Sequence, residues 1–223
     1  MQKLAFRHLV ATAVVVILAS QFSYGTDFSA GLGVGYGQGF AMRGNGTLFN
    51  FAQGFPLGLE FGITYTPIDP GNALEARRVF IANATNGTPM KYGETWDLRM
   101  DLLYKVPLLG PHASFLYAGV RRSFFDGTFR YVGANEEFDV TGQEWGVGIG
   151  GKGLFSISSR VDLALTLGVD AYFDGPLHGH DTTYTPNNDN VNPHEDFTYK
   201  DASSVINMPK IVPVLMIGLN YNI

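Results

Sequence analysis

The chain of 223 residues contains no cysteine. Disulfide bonds, thiolate chemistry and lipid attachment to an N-terminal cysteine are therefore excluded. Charge is also scarce, at 16% of residues, and acidic residues outnumber basic ones by 20 to 15. Because a nucleic-acid partner requires clustered lysine and arginine, this balance argues against such a partner.

Long apolar runs are missing too, except for one near the N-terminus. Residues 9–18 form an apolar segment after a basic start, and ten residues are too few to span a bilayer as a helix. Small residues precede an expected cleavage after Gly25. The pattern predicts a secretory signal peptide over residues 1–25, and residues 26–223 are expected to form one domain.

Glycine and aromatic residues are abundant instead, with 28 glycines, 17 phenylalanines and 11 tyrosines. In residues 27–37 apolar side chains alternate with serine and glycine. In residues 211–223 they alternate with smaller or more polar residues, with Pro213 as the only break. Period-two alternation predicts strands with one apolar face. The mean hydropathy near zero fits a transmembrane barrel, in which only every second residue of a strand is apolar.

Six further segments show this alternation, so the sequence predicts eight strands in all. The additional strands are expected within residues 40–51, 57–65, 96–104, 114–123, 141–150 and 161–169. The strand within 40–51 is the least well defined. The hairpin tip before it could lie at Arg43-Gly44-Asn45-Gly46, where Asn-Gly is a strong turn signal, or at Gly37-Gln38-Gly39.

The connections between these strands differ in length according to their position. Three are long (67–93, 125–137 and 173–204) and three are short (52–54, 105–112 and 156–160). Alternating antiparallel strands bring the long connections to one end and the short ones to the other, as in bacterial outer-membrane barrels. A closed barrel leaves no sheet edge in lipid, so we expect the last strand to pair with the strand that begins at Asp27.

Three segments of the sequence carry local signals that differ from the strand pattern. Residues 72–84 could hold a short helix capped by Asn72, or an extra strand. The segment Phe124–Glu137 is rich in turn residues and is predicted to be a loop. The apolar residues around Val140 are out of phase with those of the strand that follows, which predicts a bulge or a strand boundary near Gly142.

The chain resembles the small eight-stranded outer-membrane barrels of the OmpA, OmpX and opacity-protein type. The resemblance rests on the signal segment, the glycine and aromatic alternation from Phe28 to Tyr36, and the terminal strand. It covers residues 26–223 and implies an all-β, antiparallel, up-and-down transmembrane barrel in a Gram-negative-type outer membrane. It also implies long extracellular loops, short periplasmic turns, contacts with membrane lipids, and assembly by the barrel-assembly machinery through the C-terminal strand. One departure is Ile223, where the family usually ends in an aromatic residue.

Charged residues on the faces turned away from lipid form the first candidate site. They could fill the lumen as an ion-paired network, line a gated ion path, or include a catalytic carboxylate pair. We favour the filled lumen, because an eight-stranded barrel is narrow and buried carboxylates need partners such as Arg99 and Arg121. The predicted residues are Glu60, Asp97, Arg99, Asp101, Arg121, Glu144, Asp162 and Asp170.

Two other sets of side chains suggest roles at the surface. Interfacial girdles of aromatic residues are typical of membrane barrels, and the predicted members are Tyr36, Tyr65, Trp96, Tyr104 and Tyr221. Histidines of the last long connection, His178, His180 and His194, are weak candidates for zinc or nickel ligands. A solvated polar loop is the simpler interpretation of these histidines, and we expect no metal or other cofactor.

The functional expectation follows from the class of fold. No strand histidine faces a candidate serine nucleophile, so we do not expect an enzyme. A structural or adhesion-type role is expected, in which the long loops contact an extracellular ligand or a host surface. The alternatives are a narrow channel or carrier for small or hydrophobic solutes, and a soluble ligand-binding barrel.

Overall fold

The structure, a computed structural model, describes residues 26–51, 54–80, 88–107, 110–132, 136–181 and 205–223. The predicted signal peptide lies outside the described residues. The described residues form an all-β fold with one short helix, α1 (Ala73–Phe80). The strands are β1 (Asp27–Gly37), β2 (Phe40–Phe49), β3 (Leu57–Pro67), β4 (Thr88–Lys105), β5 (Ala113–Val132), β6 (Glu136–Ser156), β7 (Val161–Tyr172), β8 (Leu177–Asp181) and β9 (Ile211–Asn222).

Eight of these strands close into an antiparallel barrel, as predicted. Strands β1 to β7 pair in chain order, and β9 pairs with both β7 and β1. Leu32 lies opposite Leu219 in the β1–β9 seam. The expected closure of the last strand on the strand from Asp27 is therefore confirmed. Closure satisfies the backbone groups of every strand within the barrel.

The two ends of the barrel differ, as the connection lengths predict. The turns after β2, β4 and β6 lie at one end, together with the first residue of β1 and the last of β9. We call this the turn end. The connections after β1, β3, β5 and β8 lie at the opposite end, the loop end.

The β1–β2 hairpin is tight and turns at the second of the two predicted positions. Tyr36 pairs with Phe40, and Gln38 between them adopts a φ of 68°. The Asn-Gly turn predicted at residues 43–46 is wrong, because this segment lies inside β2. A tip at 43–46 would leave most of β1 without a partner, so sheet pairing overrides the local turn preference.

Three strands are much longer than the others. β4, β5 and β6 contain 18, 20 and 21 residues, whereas the remaining strands of the barrel contain 10 to 12. The additional residues of these three strands form a sheet that projects beyond the loop end of the barrel. Strand β8 pairs with β6 and adds a fourth strand to this sheet. We call this sheet the tall wall; it consists of residues 88–95, 124–132, 136–144 and 177–181. The loop predicted for Phe124–Glu137 is therefore wrong, because strands occupy all of the described residues of this segment.

Strand β6 continues without interruption past Gly142. Val140 is turned inward in the same phase as Glu144, so the boundary or bulge predicted in this strand is wrong. The apparent change of phase arises because the inner face is polar inside the barrel and apolar above it. The bulge at this level lies in the neighbouring strand, where residues 173–176 between β7 and β8 face only residues 143–145 of β6.

The inner face of the tall wall is covered by α1 and by residues 205–208. Together they form a small hydrophobic core above the barrel, the loop-end core, in which the Tyr131 hydroxyl donates to the Ala73 carbonyl. Its buried members are Ala73, Ala76, Phe125, Phe129, Tyr131, Phe138, Val140, Val205, Ile206 and Met208.

Helix α1 begins with the predicted cap. Asn72 Oδ1 accepts hydrogen bonds from the backbone N–H groups of Leu74 at 3.1 Å and Glu75 at 3.3 Å. These bonds satisfy two donors that have no partner within the helix. Residues 73–80 of the segment are thus helical and not an extra strand, and residues 81–84 lie outside the described residues. Within the described parts of the chain, no helix is long and apolar enough to cross a bilayer.

Candidate functional site

The lumen is the candidate site, because the inward faces of the strands bring a group of buried charged residues together there. Odd-numbered residues of β1, β2, β4 and β5 point inward, as do even-numbered residues of β3, β6, β7 and β9. Asp97, near the loop end, is partly exposed. The other predicted lumen residues are buried, namely Glu60, Arg99, Asp101, Arg121, Glu144, Asp162 and Asp170.

Arg121 lies at the centre of this network between two carboxylates. Its Nη1 is 2.7 Å from Asp101 Oδ1, and its Nε is 2.8 Å from Asp170 Oδ1. Arg99 holds the same two acids, with Nε 2.8 Å from Asp101 Oδ2 and Nη1 4.0 Å from Asp170 Oδ2. Two guanidinium groups therefore share two carboxylates, which compensates the cost of burying all four charges.

A second ion pair crosses the lumen nearer the turn end. Lys152 Nζ on β6 lies 2.6 Å from Glu60 Oε2 on β3. The same oxygen accepts hydrogen bonds from Thr47 Oγ1 at 2.9 Å and Asn45 Nδ2 at 3.3 Å. A buried carboxylate is stabilised in this way by one cation and two neutral donors.

Sequence reasoning missed Lys152 and Arg43 as members of the network. Arg43 Nε donates to Thr64 Oγ1 at 3.0 Å inside the barrel, but its position was obscured by the Asn-Gly turn signal beside it. Lys152 follows Glu144 at even spacing along β6. Extending the period-two alternation beyond Gly150 would have placed it in the lumen.

The remaining lumen carboxylates lie nearer the two ends. Asp97 accepts a hydrogen bond from the Tyr172 hydroxyl at 3.1 Å toward the loop end. At the turn end, Asp162 accepts from Asn222 Nδ2 at 2.9 Å and lies 3.7 Å from His112 Nε2. Glu144 is 1% exposed and pairs across the sheet with Ser123.

The lumen contains two small cavities, each of about 20 Å³. One is lined by Thr66, Arg121 and Tyr172, and the other by Glu60 and Lys152. A volume of this size holds roughly one water molecule. Thr66 Oγ1 and Arg121 Nη2 are buried without a protein partner, so a water in the first cavity would complete their hydrogen bonds. Side chains of the described residues thus fill most of the lumen.

The outer surface of the barrel is apolar between two levels of aromatic residues. Leu32 is 76% exposed and Ile149 65%, and other large apolar side chains of β1, β3 to β7 and β9 are exposed with them. We call this band the apolar belt. Of the predicted girdle, Tyr36, Tyr65 and Trp96 lie at the loop end, and Tyr104 and Tyr221 lie at the turn end.

At the loop end the Tyr65 and Trp96 rings pack together, with centroids 4.8 Å apart. Both donate to the Glu94 carboxylate, Tyr65 Oη at 3.1 Å and Trp96 Nε1 at 3.3 Å. At the turn end the Tyr221 hydroxyl accepts a bond from Arg160 Nη1 at 3.3 Å. An apolar ring with a polar edge suits the boundary between hydrocarbon and water.

The connection after β3 is tied to the tall wall by an ion pair. Lys91 Nζ lies 2.6 Å from Asp69 Oδ2, and the Gly71 N–H donates to Asp69 Oδ1 at 3.0 Å. The hydrogen bond from Lys91 keeps the pKa of Asp69 below its ordinary value, and the Gly71 bond acts in the same direction against the effect of partial burial.

The predicted metal ligands are not brought together within the described residues. His178 is exposed on β8 opposite Thr141, His180 pairs with Asp139 through the backbone, and His194 lies outside the described residues. In the part of the chain that the structure describes, no three His, Asp or Glu side chains are grouped so that they could hold a metal ion. The absence of enzymatic activity stays a prediction.

Comparison with known proteins identifies the fold but no family at the level of sequence. No protein-family model matches the chain, and no curated protein matches it. A solved structure that is similar is a major outer membrane protein from Thermus thermophilus. It shares 24% identity over 90% of this chain and 100% of its own, with a TM-score of 0.73.

Two further solved structures are similar at a lower level. Neisserial surface protein A shares 13% identity over 88% of this chain and 94% of its own, with a TM-score of 0.39. The attachment invasion locus protein of Yersinia pestis, Ail, shares 9% identity over 89% and 95%, with a TM-score of 0.42. These two scores are too low to support an argument by themselves. Strand pairing, inward polarity and the Thermus structure together establish that the chain has the fold of the small eight-stranded outer-membrane β-barrel proteins.

Proposed function

We propose that this protein is exported, spans an outer membrane of the Gram-negative type, and serves there as a structural or adhesion-type surface protein. The apolar belt supports the membrane location, because soluble proteins rarely expose a continuous apolar surface of this extent. The same belt argues against a soluble ligand-binding barrel. In this proposal β9 is the strand that the barrel-assembly machinery engages.

The tall wall is the observation that carries the proposed surface role. From Phe124 to Val132, β5 continues for roughly 26 Å beyond the loop-end girdle at about 3.3 Å per residue. Phe129 of the wall is 0% exposed in the loop-end core, so this part of the molecule is a packed platform. A packed sheet that projects from a membrane offers a partner an ordered surface with little entropy to lose on binding.

The outer face of this wall has a distinct chemistry. Tyr92 and Met90 are 59% and 41% exposed on β4, and Tyr92 lies opposite Thr128. Four acidic side chains lie on the same outer face, namely Glu94, Asp126, Glu137 and Asp139. Arg130, opposite Met90, is the cation that the described outer face of the tall wall contributes. An acidic surface with apolar anchors fits a partner surface that is basic and partly apolar.

The filled lumen argues against the channel alternative. We expect the purified protein to give no stable conductance steps in planar lipid bilayers, because Arg121 and Lys152 with their carboxylates block the path. Steps that Arg99→Ala abolishes or alters would favour the channel.

The membrane location is tested first. The protein should sediment with outer membranes and migrate differently on unboiled and boiled denaturing gels. Recovery as a soluble monomer would contradict the proposal.

The surface role is tested with cells that display the protein and adhere to polylysine-coated glass, a cationic probe. Replacing Tyr92 by Ser together with Asp139 by Asn should reduce adhesion several-fold, because the variant loses one apolar anchor and one charge. Asp27→Asn, at the turn end, is the matched control and should leave adhesion unchanged. Equal adhesion of all three proteins would exclude the tall wall as the contact surface.

A further inference from the structure

Arg121 and Arg122 are consecutive, and they point to opposite sides of the barrel wall. Arg121 is 1% exposed in the lumen network, whereas Arg122 projects outward. Its cross-strand neighbours are Leu98 on β4 and Trp145 on β6. Along its own strand, Val120 of the apolar belt lies below it and Phe124 above it. Arg122 therefore stands where the apolar belt meets the loop-end aromatic residues.

Aromatic and amide side chains hold the Arg122 guanidinium in a defined position. Its central carbon lies 4.8 Å from the Trp145 ring centroid and 5.6 Å from that of Phe124. Its Nη2 donates to Gln143 Oε1 at 2.6 Å. Two cation–π contacts within about 6 Å and one hydrogen bond orient the planar group in advance of any ligand.

The surroundings of Arg122 differ from those of the arginines in the lumen. In the described part of the chain no carboxylate forms an ion pair with it, whereas Arg99 and Arg121 are each paired. A cation at the edge of hydrocarbon is costly unless it reaches an anion or the headgroup region. Gln143 uses one of the five guanidinium N–H groups, and an anion could accept bonds from others.

We infer that Arg122, with Trp145, Phe124 and Gln143, forms a binding site for the phosphate of an outer-leaflet lipid whose headgroup carries a net negative charge, since a neighbouring choline would neutralise the phosphate. Arginine suits a phosphate because its fork of N–H groups matches two phosphate oxygens. A lipid is favoured over free phosphate because the site continues into the apolar belt at Val120 and Val147, where an acyl chain would lie. The inference rests on the proposed membrane location.

The test is lipid retention by the purified protein. Protein in micelles is mixed with equal amounts of phosphatidylglycerol and phosphatidylcholine, and native mass spectrometry counts the bound lipids. Wild type should retain phosphatidylglycerol preferentially, and Arg122→Gln should lower that preference about fivefold, the value expected for one basic residue near an anionic lipid. Arg122→Lys should fall between them, because it keeps the charge and loses the fork.

Arg130→Gln is the matched control, since it removes the same charge from the tall wall, where Arg130 faces Glu137 at 3.7 Å. It should behave as wild type. Trp145→Leu keeps the surface apolar but removes the stacking ring, and it should also lower the preference for phosphatidylglycerol. This variant provides the test if Arg122→Gln fails to fold. An unchanged preference in the folded Arg122 or Trp145 variant would overturn the inference. Displacement of the lipid by millimolar inorganic phosphate would reassign the site to free phosphate and overturn it as well.

The two proposals fail in different ways. If the protein sediments with outer membranes while its Arg122→Gln variant keeps the lipid preference, the lipid site is refuted and the membrane role stands. If the protein is soluble, the proposed function and the lipid site fail together.

Discussion

Arg121 and Asp170 form their ion pair over the backbone of Gly148. Arg121 lies on β5 and Asp170 on β7, and β6 runs between these strands. A Cβ atom at Gly148 would lie 2.0 Å from Asp170 Oδ1 and 2.2 Å from Arg121 Nη2. The glycine thus leaves the space in which two strands that are not neighbours are joined at 2.8 Å. The small residues of the strands and the charged residues of the lumen depend on each other.

Removing the carboxylate charge of this pair should destabilise the barrel. Asp170→Asn leaves Arg121 and Arg99 with one anion, Asp101, between them, and we expect the free energy of unfolding to fall by about 3–5 kcal/mol. Urea titration in micelles, followed by tryptophan fluorescence, measures the change. Asp174→Asn is the control, because Asp174 is exposed. If the two variants unfold at the same urea concentration, Asp170 contributes nothing to stability.

Filling the space at Gly148 should separate the same partners. Gly148→Val places side-chain atoms where Arg121 and Asp170 meet, so we expect slower folding and loss of the fast-migrating folded band on unboiled gels. Gly151→Val, on the same strand, is the matched control, since the nearest atom to a Cβ there is Phe115 O at 3.7 Å. A normal folded band for the Gly148 variant would contradict the close packing of Arg121 and Asp170 over this residue.

The loop-end core should unfold separately from the barrel. Phe129→Ala removes a fully buried ring, at a cost of about 3–5 kcal/mol, and we expect this loss to appear in the tall wall and α1. Hydrogen exchange should speed up at residues 73–80 and 124–132, while the strands of the lumen network keep their protection. Tyr92→Ala, which truncates an exposed ring on the outer face of the tall wall, should leave the hydrogen exchange of both segments unchanged. Uniform loss of protection throughout the barrel would show that the two parts unfold together.

The Asp69–Lys91 pair should respond to acid. Because the folded pKa of Asp69 is below its unfolded value, the stabilisation by the pair is complete above the unfolded value, about 4 for aspartate, and is lost as pH falls through the folded pKa. Carboxyl-carbon NMR titration of Asp69 should show the lowered pKa, and Lys91→Met should return it toward the ordinary value. The pair is partly exposed, so we expect only a small change in global stability. A titration curve that Lys91→Met leaves unmoved would argue against this contact.

Period-two alternation was sufficient to predict the barrel. It located β1 from Asp27 and β9 from Ile211, and it gave the inward phase of Glu60, Arg99 and Asp170. Successive side chains of an extended strand point to opposite faces, so the order of residues in the sequence is enough to give the direction of each side chain.

The signals that failed were those whose outcome depends on distant residues. The Asn45-Gly46 turn preference yields to pairing along the whole of β1. The phase of Val140 could be interpreted only once its inner face was known to pass from a polar lumen to an apolar core. That core is contributed in part by residues 205–208, more than sixty positions later in the chain.

The order of residues is enough to specify an all-β barrel with an apolar exterior and a charged interior, because both follow from alternation along single strands. The spacing between the strands shows in the same way that one end is richer in long connections. Which charges meet depends on how the strands are arranged around the closed barrel. Lys152 reaches Glu60 across the lumen, Arg121 reaches Asp170 over Gly148, and Arg122 lies between Trp145 and Phe124. Such contacts depend on register, closure and the space left by glycine, and these are properties of the whole closed sheet.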